Sequence, residues 1–261
     1  MRSLIKNLAV ATAIGLSGAG AAQSAEEARP TIILVHGAFA GSSSWNGVIA
    51  ELEKKGYHVI AAANPLRGVA SDGAAVSAVV KSVPGPVVLV GHSYGGPVVT
   101  EAANGNANVK ALVYVSAFAP ETGETSFGLT GKFPGSTLGD ALAPPVVQSN
   151  GVSDLYIDQS KFPQQFAADV PLEQARLMAA TQRPVAEAAL AEAAGVASRK
   201  IVQSYWIYGS ADRNIPPAAM EFMADRAKSR ETTVVEGASH VVMVSHPSAV
   251  ASVIEDAAQG K

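Results

Sequence analysis

The 261-residue sequence contains no cysteine. This absence excludes disulfide bonds, metal sites built from thiolates and the acylated cysteine of a lipoprotein. Charge is also scarce, since only 16% of the residues are Asp, Glu, Lys or Arg and the formal net charge is −3. Because the chain carries no long basic run, we expect no nucleic-acid partner.

Apolar residues are abundant by contrast, at 48% of the chain. That content is ample for a buried sheet, and 261 residues suit one sizeable domain with room for an insertion. The composition is therefore compatible with one domain built around a buried sheet.

The first 25 residues have the pattern of a secretory signal peptide. Arg2 and Lys6 supply positive charge, residues 8–16 form a short apolar run, and small residues over 19–25 offer cleavage sites. A membrane anchor is the alternative. The apolar run is short and is interrupted by a glycine, so a stable membrane span is the less favoured interpretation. We therefore predict a signal peptide over 1–25 and a periplasmic or secreted mature chain, residues 26–261, without a stable membrane anchor.

The most informative stretch is residues 86–103, PVVLVGHSYGGPVVTEAA. Residues 86–90 predict a buried strand, and residues 98–103 predict a helix with proline in its first turn. Between them lies the G-x-S-x-G pattern centred on Ser93. In that setting the pattern is typical of a nucleophile elbow, a strained turn that exposes the serine and admits only glycine at both ends of the motif.

Strands and helices alternate on both sides of this motif. A β-α-β-α order implies a mostly parallel sheet with helices on both faces, so the predicted fold class is α/β. The predicted strands cover residues 31–35, 57–62, 86–90, 110–116, 203–208 and 231–236.

Residues 119–198 interrupt the alternation. They are rich in proline and glycine at first and then predict helices near 164–169, 172–181 and 185–194, with no convincing strand. An insertion after a sheet strand lies where open α/β sheets place ligands, which predicts a cap over the active site. Aromatic residues of the cap either line an apolar pocket or only pack the cap on itself: Phe127, Phe133, Tyr156, Phe162 and Phe166.

A serine nucleophile needs a base and an orienting acid. Asp212 follows one predicted strand and His240 follows the last, so both should project from the same sheet edge as Ser93. The remaining histidines lie in turn motifs, at the amino end of a strand or just before a proline. An ordinary helix N-cap is the alternative role for Asp212.

The developing oxyanion requires two backbone donors. The amide of Tyr94 supplies one, and the loop after the first strand should supply the other, from Ala38 or Phe39.

Four motifs then carry a resemblance: HGAF (36–39), GHSYGG (91–96), YGSAD (208–212) and GASH (237–240). In this order and spacing they resemble the α/β-hydrolase superfamily, and within it the small serine esterases related to plant methylesterases and hydroxynitrile lyases and their bacterial relatives. The resemblance covers nearly all of the mature chain and implies an α/β-hydrolase fold with a helical cap insertion. It implies these roles: nucleophile Ser93, base His240, acid Asp212, oxyanion donors Ala38 and Tyr94.

Two departures from the group bear on the reaction. Its lyases carry a threonine in the first loop and a lysine directly after the catalytic histidine, whereas this chain has Ala38 and Val241 near those places. We expect Val241 and Phe39 to face the pocket, where an apolar Val241 would not stabilise a departing cyanide. The serine nucleophile also argues against haloalkane dehalogenation, which uses an aspartate in this fold.

The sequence therefore predicts a serine hydrolase that cleaves a small to medium, largely apolar carboxylic ester through an acyl-enzyme. This chemistry needs no metal and no organic cofactor. Amidase, lactonase, acyltransferase and perhydrolase activities use the same triad and stay open, as does a ligand-binding protein without catalysis. The expected partner is a small-molecule ester, and the expected state is a monomer or a homodimer.

Overall fold

The computed structural model describes residues 29–198 and 201–261. The predicted signal peptide, residues 1–25, lies outside the described residues. Over the described ranges, no helix is long and apolar enough to cross a membrane, and no cluster of three or more histidine, aspartate or glutamate side chains is arranged to hold a metal ion.

A six-stranded sheet in the order β2-β1-β3-β4-β8-β9 forms the centre of the molecule, and every neighbouring pair is parallel. Strands β1 and β3 are buried along their whole length, as expected for apolar strands covered by helices on both faces. The predicted α/β fold class is confirmed. The strands are β1 (Thr31–Val35), β2 (Val59–Ala62), β3 (Val87–His92), β4 (Val109–Val115), β8 (Gln203–Gly209) and β9 (Glu231–Val235).

The helices around this sheet form two packed groups. Helix α1 packs with α11, and α2 packs with α3. A 3-10 turn at Ser42–Trp45 leads into α1. The helices are α1 (Asn46–Lys54), α2 (Val69–Ser82), α3 (Gly95–Ala103), α9 (Pro217–Arg226), α10 (Val242–Ser245) and α11 (Pro247–Gln259).

The carboxyl ends of the strands lie level at one edge of the sheet. Gly91 near the end of β3 pairs with Val35 of β1, and the last residue of β4 pairs with Ile207 of β8. Gly209 pairs in turn with Val235 of β9. Because β1 has β2 on one side and β3 on the other, the chain changes direction here, and the loops after β1 and β3 bound a crevice.

Residues 119–198, which we call the cap segment, connect β4 to β8. Its helices are α4 (Ser126–Lys132), α5 (Leu138–Ala141), α6 (Phe162–Phe166), α7 (Leu172–Thr181) and α8 (Glu187–Ala191). It also contains a small antiparallel sheet of β5 (Val146–Val147), β6 (Ser153–Leu155) and β7 (Val185–Ala186). The expectation of a cap without strands is therefore wrong.

The cause of this difference lies in tertiary pairing. Residues 185 and 186, predicted to begin a helix, instead pair with Leu155 and Asp154 of β6. A short strand of this kind is decided by its partner rather than by its own propensity. The helix predicted over 172–181 is confirmed at both ends.

Candidate active site

Ser93 occupies the turn between β3 and α3. Its φ of 53° lies in the left-handed region, a strained conformation for a residue with a side chain. Three backbone hydrogen bonds hold this turn: the Ser93 amide donates to the Val115 carbonyl at 3.2 Å, and the Ser93 carbonyl accepts from Gly96 at 2.9 Å and Phe118 at 3.2 Å. The strain is thus balanced by the surrounding loops.

The glycines at the ends of the motif are required by close backbone approach. A Cβ on Gly91 would lie 2.5 Å from the Gly95 carbonyl oxygen, and a Cβ on Gly95 would lie 2.5 Å from the Val35 carbonyl oxygen. Neither contact is sterically possible without displacing backbone. The steric expectation drawn from the motif is confirmed.

Asp212 and His240 are joined in the loops after β8 and β9. His240 Nδ1 and Asp212 Oδ2 are 2.7 Å apart, and both side chains are buried. The other oxygen, Asp212 Oδ1, accepts from the backbone amides of Asn214 at 2.8 Å and Ile215 at 3.0 Å. One carboxylate therefore orders its own loop and also orients the imidazole, with Nε2 left as the basic nitrogen.

The bonds from Asp212 also decide between its two candidate roles. Helix α9 begins only at Pro217, two residues beyond the last amide that the carboxylate binds. Asp212 is accordingly not the N-cap of that helix.

Ser93 and His240 line the same cavity. Within the described structure no direct hydrogen bond joins the Ser93 hydroxyl to the His240 imidazole. Such a contact often forms only when substrate is bound. The structure thus brings the two side chains to one cavity.

The loop after β1 contains the two candidates for the second oxyanion donor, Ala38 and Phe39. The amide of Phe39 donates to the Arg183 carbonyl at 3.0 Å, so it is not free to stabilise an oxyanion. Among the described residues, the amides of Ala38 and Tyr94 have no hydrogen-bond partner. Of the two candidates in this loop, Ala38 is therefore the better placed.

The buried His36 ring holds this loop in place through hydrogen bonds of its two nitrogens. Its Nδ1 lies 2.9 Å from the Gly37 carbonyl, and its Nε2 accepts from the Asn64 amide at 3.1 Å. Arg183 approaches the same Nε2 at 3.3 Å. Burial, reinforced by the Arg183 charge and opposed by the Gly37 hydrogen bond, lowers the pKa of His36 to about 4. The ring is therefore neutral at pH 7 and holds a single tautomer.

His92 braces the loop that carries His240. Its Nε2 lies 3.1 Å from the His240 carbonyl, and the two ring centroids are 4.8 Å apart. Burial holds the pKa of His92 well below its ordinary value. A neutral ring donates to that carbonyl and places no positive charge beside the His240 imidazole.

Tyr94 is anchored by its phenol to helix α2. Its hydroxyl donates to Asp72 Oδ2 at 2.9 Å, and the same carboxylate accepts from the Arg67 amide at 3.0 Å. Burial raises the pKa of the Asp72 carboxyl and, together with that carboxyl, raises the pKa of the phenol. This anchor fixes the backbone that carries the Tyr94 amide.

The cavity in front of Ser93 has a volume of about 270 Å³ and is largely apolar. Among the described residues that line it, His240 and Tyr94 are the only ones with an acidic or basic side chain. The ring of Phe166 stands 5.0 Å from the His240 ring and 6.2 Å from that of Phe39. The site therefore suits an uncharged, mostly apolar ligand.

A larger groove of about 930 Å³ lies at the amino ends of the strands, near Arg29, Lys55 and Lys110. It contains none of Ser93, Asp212 and His240. The smaller cavity is the candidate site because the chemistry converges there.

The predicted pocket residues divide into two groups. Phe39, Phe127 and Phe166 line the cavity. The prediction is corrected for the other four, none of which is in the cavity lining: Phe133, Tyr156, Phe162 and Val241. Phe133 packs on Phe222, Phe162 is buried against Phe166, and Val241 is buried in the core. Packing of the cap on itself explains Phe162, whereas Phe133 packs the cap against Phe222 of helix α9.

Several lining residues were not found from the sequence. On α4 they share one helical face, since 126, 127, 130 and 131 are spaced by about one turn. A prediction of α4 from the sequence, with its start at Ser126, would have grouped these residues on one face. The residues are Phe118, Ser126, Thr130, Gly131, Ser136, Leu138, Gly139, Leu142, Leu190, Asn214 and Ile215.

Known proteins resemble the chain in sequence and in structure. A carbendazim hydrolyzing esterase from Nocardioides sp. (strain SG-4G) is 33% identical over 113 residues, which span 38% of this chain and about half, 47%, of the esterase. An alpha-hydroxynitrile lyase from Arabidopsis thaliana is 27% identical over 245 residues, covering 85% of this chain and 94% of the lyase. The crystal structure of polyneuridine aldehyde esterase superimposes with a TM-score of 0.75 at 19% identity, covering 87% of this chain and 98% of that one.

The family model described as alpha/beta hydrolase family matches residues 32–253. That range runs from the first strand of the sheet into the last helix and includes the elbow and both loops that carry Asp212 and His240. By sequence match and by fold, the chain belongs to the alpha/beta hydrolase family.

Proposed function

We propose that the protein is a serine hydrolase that cleaves an uncharged, small to medium carboxylic ester through an acyl-enzyme. One observation carries the proposal: Ser93, His240 and the unpaired amides of Ala38 and Tyr94 meet at one apolar cavity. A binding protein needs no such convergence of a nucleophile, a base and oxyanion donors.

The proposed reaction has two halves. Ser93 Oγ attacks the ester carbonyl carbon while His240 Nε2 takes the hydroxyl proton, and the amides of Ala38 and Tyr94 stabilise the oxyanion. The intermediate collapses, the C–O bond to the alcohol breaks, and the alcohol leaves with the proton from His240. Water then loses a proton to His240, attacks the acyl carbon, and releases the acid and free Ser93.

The direct test combines a fluorophosphonate probe with the Ser93→Ala variant. We expect the probe to label the wild-type protein and not the variant, and we expect the variant to lose ester turnover by roughly 10⁴-fold or more. Circular dichroism and the melting temperature check that the variant remains folded. Substantial turnover by folded Ser93→Ala would contradict the proposal, and binding of esters without turnover by the wild type would favour a non-catalytic role.

Other acyl chemistries are separated by substrate. An ester, its matched amide and its matched lactone are compared for turnover, with and without added alcohol or hydrogen peroxide as acyl acceptor. The proposal predicts that the ester without added acceptor has the highest kcat/KM. A higher kcat/KM for the amide or the lactone would assign amidase or lactonase activity to the same site. Faster turnover with added alcohol or hydrogen peroxide would assign acyltransferase or perhydrolase activity.

Cyanohydrin cleavage is the second candidate, favoured by the likeness to the Arabidopsis lyase over 85% of this chain. The sequence argument against it from Val241 does not stand, because that side chain is buried away from the cavity. Cyanide release from mandelonitrile decides the matter. The ester proposal predicts no release above background, and Ser93-dependent release at a rate that rivals ester turnover would replace it.

A further inference from the structure

The Ser126 side chain is a polar group without a protein partner in the apolar cavity. It stands at the first position of α4, lines the same cavity as Ser93, and is only 4% exposed. None of the described residues forms a hydrogen bond with its hydroxyl. The hydroxyl is not closed off from the cavity, so a ligand that displaces water from it costs free energy unless it supplies a hydrogen bond in return.

The neighbouring hydroxyls of the cavity, by contrast, have hydrogen-bond partners within the protein. Thr130 Oγ1 donates back to the Ser126 carbonyl at 3.0 Å, and Ser136 Oγ donates to the Asn214 carbonyl at 2.9 Å. Both bonds stay within the protein. Among the serine and threonine residues of the described lining, only Ser93 and Ser126 have hydroxyls that do not donate to another protein group. Ser126 is therefore the second hydroxyl that a ligand can bind.

Asn214 points to the same chemistry. Its Oδ1 accepts from Gln165 Nε2 at 2.8 Å, but its Nδ2 is buried without a partner. Asn214 also lines the cavity, and it is 3% exposed. An amide nitrogen can only donate, and a serine hydroxyl can donate as well as accept, so an acceptor oxygen is the one partner that suits both side chains.

We infer that the Ser126 hydroxyl is a specificity-determining donor, and that the substrate carries a second oxygen acceptor besides its scissile ester. Ether, ketone and second-ester oxygens fit this description. The inference rests on the proposed ester hydrolysis and names the substrate class for that site. An apolar chain would fill the cavity but would leave the hydroxyl unpaired.

The test uses pairs of esters that differ only by one methylene exchanged for an ether oxygen, with the oxygen placed at successive positions along the acyl and alcohol chains. For wild-type protein we expect at least one position at which the oxygen raises kcat/KM by about tenfold over its all-carbon partner. Ser126→Ala should abolish that gain. The near-isosteric Ser126→Cys, a weak donor, should reduce it and serves if the alanine variant folds poorly.

Thr130→Val is the matched control, because it removes a hydroxyl from the same helix face that is already bonded within the helix. The gain should survive in this variant. No gain at any position in the wild type, or an undiminished gain in folded Ser126→Ala, would overturn the inference.

Calorimetric binding of the same pairs to Ser93→Ala separates this inference from the proposed reaction. If the wild type turns over no ester, the proposed function fails, while the binding preference still tests Ser126. Preference for the ether partner that vanishes in the Ser93→Ala, Ser126→Ala double variant would support the donor role. Equal binding of both partners by Ser93→Ala would refute it.

Discussion

At the scale of single residues, Asp212 divides its two oxygens between two tasks. Oδ2 orients His240 at 2.7 Å, while Oδ1 accepts from the amides of Asn214 and Ile215. The first task serves the proposed reaction, and the second fixes the shape of the loop. Substitutions can therefore separate the two.

Asp212→Asn should keep the loop and lose the reaction. The amide oxygen can still accept from the two backbone donors, but an amide nitrogen facing His240 favours the wrong imidazole tautomer. We expect kcat for an ester to fall by about 10⁴-fold, as in other serine triads, with little change in melting temperature. Asp225→Asn in helix α9 is the control and should retain activity. Near-normal turnover by Asp212→Asn would move the acid elsewhere.

His36 gives the fold a pH dependence of known sign. Its pKa is about 4 when folded and about 6.5 when unfolded, so between these values the unfolded chain binds more protons. Its contribution to stability is therefore complete above about pH 6.5 and is lost as the pH falls toward 4. The contribution amounts to about 3 kcal/mol.

Urea unfolding at a series of pH values measures this effect. The free energy of unfolding should decrease from pH 6.5 to 4, and His36→Asn should make the decrease shallower. Some slope should remain, because burial also lowers the pKa of His92. His58→Asn changes an exposed histidine and should leave the wild-type slope intact. The same slope in folded His36→Asn would show that His36 does not contribute.

At the scale of elements, the elbow depends on how closely α3 approaches the loop after β4. A Cβ on Gly96 would lie 2.0 Å from the Phe118 carbonyl oxygen. Backbone on both sides is already fixed by hydrogen bonds to Ser93. The helix therefore has no room to move away.

Gly96→Ala should destabilise the protein by roughly 3 kcal/mol or more, as overpacking against fixed backbone does. Gly131→Ala is the matched control, since Gly131 is also helical and a Cβ there meets nothing within 4 Å. That control should be neutral or stabilising by up to about 1 kcal/mol. Melting temperatures of the two variants are compared, and equal values would contradict this account of the elbow.

At the scale of the whole molecule, the cap segment is tied to the loop that carries Asp212. Gln165 of α6 donates from Nε2 to the Arg213 carbonyl at 2.9 Å and to Asn214 Oδ1 at 2.8 Å. Its Oε1 accepts from Thr137 at 2.8 Å. One buried amide thus joins two parts of the cap to the loop that carries Asp212.

Gln165→Ala should cost about 1 to 3 kcal/mol, because it leaves buried polar partners unpaired. We also expect a lower kcat/KM for an ester, since the loop of Asp212 loses its support. Gln164→Ala alters the exposed neighbouring residue on the same helix and should be nearly silent. Urea midpoints and limited proteolysis of the cap provide the measurements. Indistinguishable behaviour of the two variants would show that Gln165 does not hold the cap.

The sequence by itself determined the α/β alternation, the elbow around Ser93 and the loops that carry Asp212 and His240. Each of these features depends on a short segment of the sequence: an apolar run, a glycine with no space for a Cβ, or a residue that directly follows a strand. Because the carboxyl ends of parallel strands lie at the same edge of the sheet, loops that are distant in sequence meet there without any further sequence signal.

Only the tertiary structure decided which side chains face the cavity. Phe127 and Phe133 are close in sequence, yet one lines the cavity and the other packs on Phe222, because the docking of α4 selects its inward face. Val241 turns into the core although it adjoins His240. The direction of a side chain in an irregular loop, like the pairing of a two-residue strand, depends on partners far along the chain that no local pattern encodes.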